Sequence, residues 1–246
     1  MEFDNSGPDA KQIEQLIPNL FDLYSNTEVH LWRSNMVTTI NGAISYEGKS
    51  APLSNSIDRL AFKVQRSLAS AVVAGAKNVV AEGYFSPLQR PIPIDNFGHP
   101  IERNPNLVVI TNGKTSLLDS ALVKESKAPF TIITSTGGIG AVTTEMESAQ
   151  VEVEIISCGD DRVDFNRARS IIDERFSGTK LVEGGPSIVT GMQRSGVLDQ
   201  FAVTITPKMS AATPPFVGDT ETTLSNLTLY RYLVAFETLL LLYKLN

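Results

Sequence analysis

Apolar positions along this chain fall into two patterns. Short continuous runs at 71–74, 107–111, 130–134, 151–157 and from Leu181 onward read as strands buried on both faces. Between them the spacing is helical. Leu60, Ala61, Val64 and Leu68 follow a start at Ser56-Ile57-Asp58, and Ile171, Ile172 and Phe176 share one face of a crossover helix over 163–176. Such alternation predicts an α/β domain with a mainly parallel mixed sheet flanked by helices, binding its ligands at the carboxyl ends of the strands.

Other segments complete this picture. A strand is expected over 35–40, then a loop over 45–56 rich in glycine and serine, and an irregular excursion over 83–105 punctuated by Pro and Gly. After a strand at 201–206 and a Pro and Gly loop at 207–218, the runs 227–236 and 238–244 read as antiparallel strands that close the sheet. Residues 1–10 are polar and expected to be disordered. Behind them Ile13, Leu16, Ile17, Leu20, Phe21 and Tyr24 recur at helical spacing. The expected organisation is therefore an N-terminal arm over 1–29 and a single domain over 30–246.

Composition narrows the classes. With 246 residues, 42% hydrophobic and 20% charged, the chain can bury one sizeable core. Its net charge of −6 argues against a nucleic-acid surface and requires a local basic pocket for any anionic ligand. The single cysteine, Cys158, excludes an internal disulfide framework, and with only His30 and His99 no Cys/His metal site is expected. A reducing cytoplasm is the expected compartment. Neither a signal peptide nor a membrane span is read from the sequence, since the apolar run 239–243 is too short to cross a bilayer.

Candidate chemistry centres on Leu181-Val182-Glu183-Gly184-Gly185-Pro186-Ser187, an apolar run ending in a carboxylate and two glycines. Glycines at a strand exit let backbone N–H groups approach a phosphate, and the first turn of the helix that follows adds its positive dipole end. A second run, residues 71–82, likewise breaks at Gly75 and passes through Ala76, Lys77 and Asn78 to Glu82. Two such exits suggest one ligand held between them. A third strand ends on the Asn41-Gly42 turn.

Taken together, these segments resemble the riboflavin-biosynthesis pyrimidine reductases. The motifs are Met36-Val37-Thr38-Thr39-Ile40-Asn41-Gly42, Arg66-Ser67 through Gly75-Ala76, Glu183-Gly184-Gly185-Pro186, and Gly196-Val197-Leu198-Asp199-Gln200 leading to Pro207. The similarity covers about residues 30–245, and Glu82-Gly83-Tyr84 points to a free-standing subgroup without a fused deaminase. The resemblance implies a dihydrofolate-reductase-like three-layer fold and a homodimer. The implied activity is an NADPH-dependent reductase resembling 5-amino-6-(5-phosphoribosylamino)uracil reductase, with hydride transfer to the ribosyl side chain.

By the same resemblance Val37, Gly75, Ala76, Lys77, Asn78, Glu82, Thr111, Asn112, Gly184, Gly185, Pro186 and Ser187 would hold the dinucleotide. Asn41, Ser50, Arg66, Arg90 and Glu183 would face the substrate. Lys77 and Lys114 are candidate partners for a 2′-phosphate. The chain departs from the family pattern at Asn41 (Asp in most relatives), Asn78 (a hydroxyl residue) and Gly83 (a second acid). Two further readings therefore stay open, a reductase of dihydrofolate or another pterin-like or pyrimidine-like molecule and a dinucleotide-binding protein without catalysis.

Overall fold

The computed structural model describes residues 8–94, 99–211 and 226–246. Most of the predicted disordered start and most of the loop expected over 207–218 lie outside the described residues. The arm forms two helices, α1 (Ala10–Glu14) and α2 (Ile17–Tyr24), rather than one. Pro18 explains the break, because its missing N–H is tolerated only in a first helical turn. Leu20, Phe21, Leu23 and Tyr24 of α2 are buried against Ile57, Ala61 and Val64, so this segment contributes to the core.

Among the described residues nine strands form one sheet in the order β5-β4-β3-β2-β6-β1-β7-β9-β8. Central β1 (His30–Thr39), β2 (Ala69–Gly75), β3 (Asn106–Ile110), β4 (Phe130–Thr134), β5 (Val153–Ser157), β6 (Gly178–Gly184) and β7 (Gln200–Thr206) run parallel. At one edge β8 (Leu227–Ala235) and β9 (Thr238–Leu245) are antiparallel, as their alternating pattern predicts. Strand β1 begins five residues before the expected start at 35, and Ile40 lies outside it at 70% exposure. Buried Arg33 and Ser34 obscured its apolar pattern.

Helices cover both faces. On one, α7 (Phe165–Arg175) and α8 (Pro186–Arg194) bury Trp32, Val73, Val108, Ile133 and Val182. On the other, α4 (Ala76–Glu82), α5 (Ala121–Lys124) and α6 (Thr136–Ala149) pack over β2–β4, while α2 and α3 (Ser56–Leu68) pack over β7 and β9. Helix α3 starts where Asn55 Oδ1 accepts the Asp58 N–H, and α4 ends on Gly83 at φ +69°.

The layer beneath α2 and α3 is partly polar. Arg33 is buried, donating through Nε to Gln200 Oε1 and through Nη2 to the Tyr24 carbonyl, each at 2.8 Å. Burial lowers its guanidinium to about 10. One register step away, where Trp32 pairs with Lys180, buried Lys180 meets Asp173 at 2.6 Å, and Asp173 also accepts from Trp32 Nε1 at 3.0 Å.

Candidate active site

Parallel pairing sets Ala74 beside Gly184 and Gly75 beside Ile110, so the glycine exits of β2 and β6 lie side by side at the carboxyl ends of two interior strands. Helices α4 and α8 start there, each without a side-chain cap on its first turn. Gly184 adopts φ +100°, a conformation that any side chain would strain, and the Gly184–Gly185 peptide is cis. A Cβ built on Gly185 would meet no protein atom within 4 Å. The space beside it is open to a ligand. Gly75 has a different constraint, since its Cβ would come within 2.9 Å of Ile188. There the missing side chain lets α8 pack onto the β2–α4 turn.

Below these exits opens a cavity of about 620 Å³, within the range of small-molecule sites. Val37, Ser50, Arg66, Asn78, Glu82, Glu183, Gly184, Gly185 and Pro186, all named from sequence, line it. At its centre Arg66 grips Glu183 through two bonds, Nε–Oε1 at 2.9 Å and Nη2–Oε2 at 2.6 Å. The Tyr84 hydroxyl also donates to Oε2, at 2.5 Å, and the Asn78 amide donates to the Glu183 carbonyl at 3.2 Å. Phe62 and Tyr84 present their rings to the guanidinium at 4.6 and 5.4 Å.

The electrostatics follow from this packing. Burial, the largest single influence, would lower the Arg66 pKa, but the Glu183 carboxylate and the Tyr84 phenol together more than offset it and raise it. Burial and the same carboxylate push the Tyr84 phenol well above its ordinary value, so it keeps its proton and acts as a donor. Arg66 and Glu183, both expected to face the substrate, are thus bonded to each other.

Other predicted residues lie elsewhere. Arg90 does not line the cavity, because Ala69 and Arg103 carbonyls take its Nη2 and Nε at 3.1 and 2.8 Å. In this structure Arg90, expected to face the substrate, is held against the backbone outside the cavity lining. Asn41 is turned aside too, its amide bonded to the Ser210 carbonyl at 2.6 Å and its Oδ1 accepting from Thr39. Ala76, Lys77 and Ser187 stand in the first turns of α4 and α8, while Thr111 and Asn112 follow β3. All five lie near the glycine exits, outside the cavity lining.

Sequence reasoning missed Ser54, Asp58, Arg59, Phe62 and Tyr84 as cavity residues. One signal was available for Asp58. With Ala61 and Gln65 at helical spacing it places a carboxylate on the apolar face of α3, where a polar residue needs a reason.

The RibD C-terminal domain model matches residues 32–235 of this chain. The chain belongs to the RibD C-terminal domain family. Membership of this reductase family makes it an oxidoreductase. Three solved structures share its fold. A pyrimidine reductase-like protein from Corynebacterium diphtheriae superposes with a TM-score of 0.71 at 20% identity, over 88% of this chain and 92% of that one. The Saccharomyces cerevisiae riboflavin biosynthesis reductase Rib7 gives 0.62 at 16% identity, over 97% and 100%. Enterococcus faecalis dihydrofolate reductase, solved with NADP(H), gives 0.50 at 12% identity, over 88% and 99%. The dihydrofolate-reductase-like three-layer fold expected from the motifs is the fold observed. Among the described residues of this RibD C-terminal domain no helix is long and apolar enough to cross a membrane, and no cluster of His, Cys, Asp and Glu could hold a metal ion.

Proposed function

We propose that this protein is an NADPH-dependent reductase of a pyrimidine ribosyl phosphate, in the reaction class of 5-amino-6-(5-phosphoribosylamino)uracil reductase. One observation carries the reading. The open glycine cradle at Gly184-Gly185 runs directly into a cavity walled by Phe62 and Tyr84. Backbone N–H groups at the start of α8 fit the diphosphate of a dinucleotide, and flat aromatic walls fit a heterocycle. When bound, the dinucleotide supplies the hydride. The protein's own residues shape and orient the site: Asn78 and Tyr84 fix Glu183, and Glu183 holds the glycine turn in register.

Exposed Lys77 on α4 and Lys114 after β3 are the cations placed for a 2′-phosphate, which favours NADPH over NADH. Of the two arginines that line the cavity among the described residues, Arg66 is held by Glu183, leaving Arg59 for the substrate phosphate. The partner is a second copy of the chain, docked on the sheet face formed by β7, β9 and β8. On that face Tyr232 is 66% exposed and Val234 57%. A single buried cysteine suits the cytoplasm.

The test follows NADPH oxidation by purified protein with the riboflavin-pathway intermediate and with dihydrofolate in parallel. Turnover of the intermediate alone supports the proposal. Turnover of dihydrofolate alone, or of neither, overturns it.

A further inference from the structure

Three acids line the described cavity, and they are not equivalent. Both carboxylate oxygens of Glu183 are taken by Arg66 and Tyr84. Glu82 is exposed on α4 and solvated. Asp58, in the first turn of α3, is only 6% exposed, and its Oδ2 accepts the Ser54 hydroxyl at 2.6 Å. Its backbone is held as well, the N–H donated to Asn55 Oδ1 at 2.9 Å. Thr204 acts on the carboxyl, and its buried hydroxyl has no hydrogen-bond partner among the described residues.

We infer that Asp58 is the proton-delivering carboxyl of this cavity, a catalytic residue that hands its proton to the substrate atom acquiring charge as hydride arrives. The inference rests on the proposed reduction of an open-chain ribosyl side chain. A bound dihydronicotinamide dinucleotide would supply the hydride for the new C–H bond at C1′ of the imine and would leave as its oxidised form. Asp58 would give its proton to the imine nitrogen, its O–H bond breaking as the C=N π pair moves to that nitrogen and the N–H bond forms. The carboxylate left behind is stabilised by the Ser54 hydroxyl and reprotonated from water through the cavity mouth.

The surroundings suit an acid that must hold its proton until needed. Burial raises the Asp58 pKa, while the Ser54 hydroxyl, Thr204 and the cations Arg59 and Lys208 act in the opposite direction without cancelling it. From α2 the Tyr24 phenol also faces it, itself raised by burial. Arg66 and Glu183, across the cavity, form an internally neutral pair.

The test compares the parent, Asp58→Asn and Ser54→Ala across pH, measuring kcat on the pyrimidine substrate, NADPH affinity by fluorescence, and the infrared C=O stretch of protonated carboxyls. For Asp58→Asn, kcat should fall by about a hundredfold or more, with NADPH affinity unchanged and the alkaline limb of the rate profile lost. Ser54→Ala removes a donor to the carboxylate, so the alkaline limb should move to higher pH. A carboxyl band that persists above the ordinary aspartate range should be present in the parent and missing in Asp58→Asn. A parent that reduces no pyrimidine overturns the functional reading, whereas the infrared band reports on the acid independently of that outcome. If Asp58→Asn keeps kcat within threefold of the parent with the same alkaline limb, or if the band is absent from the parent, Asp58 is not the proton source.

Discussion

Arg66 and Glu183, 117 positions apart in sequence, meet in a two-bond fork whose shorter N–O distance is 2.6 Å, with only 2% of the Glu183 side chain exposed. Removing one partner strands the other as a buried charge. We therefore expect Arg66→Ala to lose about 3 kcal/mol of stability in urea unfolding. A double variant, Arg66→Met with Glu183→Leu, should recover most of that loss while remaining inactive. Stability of Arg66→Ala equal to that of the parent would show the fork to be dispensable.

Gly185 carries the cradle. Gly185→Val should fold with an unchanged circular dichroism spectrum, because a Cβ there meets no protein atom, and should bind NADPH at least a hundredfold more weakly by calorimetry. Unaltered affinity would move the diphosphate away from this turn.

Arg59 bears on the substrate phosphate. In Arg59→Ala, KM for the phosphorylated substrate should rise by roughly thirtyfold, equivalent to about 2 kcal/mol for a charge-assisted hydrogen bond. A dephosphorylated substrate should show no such change. Equal effects on the two substrates would assign Arg59 to some other role.

Asp58 also predicts a pH dependence of stability. Its folded-state pKa lies above the unfolded value because burial penalises the carboxylate, so its contribution is fully present below the unfolded pKa and is lost as pH rises through the folded one. The Tm of Asp58→Asn relative to the parent should therefore increase with pH across that window. A Tm difference that is constant with pH would contradict the burial argument.

The apolar sheet face should dimerise. Light scattering is expected to give a mass near twice 26.7 kDa, and Tyr232→Lys, which puts a charge at a position 66% exposed in the single chain, should halve it. A parent at 26.7 kDa under micromolar conditions would discard this interface.

What the sequence by itself determined is everything that local chemistry encodes. Runs such as 71–74 and 130–134 could bury their residues only as interior strands, and Gly184 was legible because its backbone conformation depends on the residue itself. The run 239–243 reads only as apolar along the chain, and strand pairing decided its sides, putting Leu240 and Leu242 in the core beneath α2 and α3 and turning Leu239 outward at 38% exposure.

The tertiary structure alone decided which charges are free. Arg66, Arg90 and Glu183 look equally available along the chain, yet one fork and two backbone carbonyls consume them, while Arg59 and Asp58 reach the cavity from the first turn of α3. An ion pair or a buried acid is a property of two surfaces brought together. The energy that fixes it is the cost of desolvating a charge, which depends on neighbours a hundred residues away and leaves no local pattern to read.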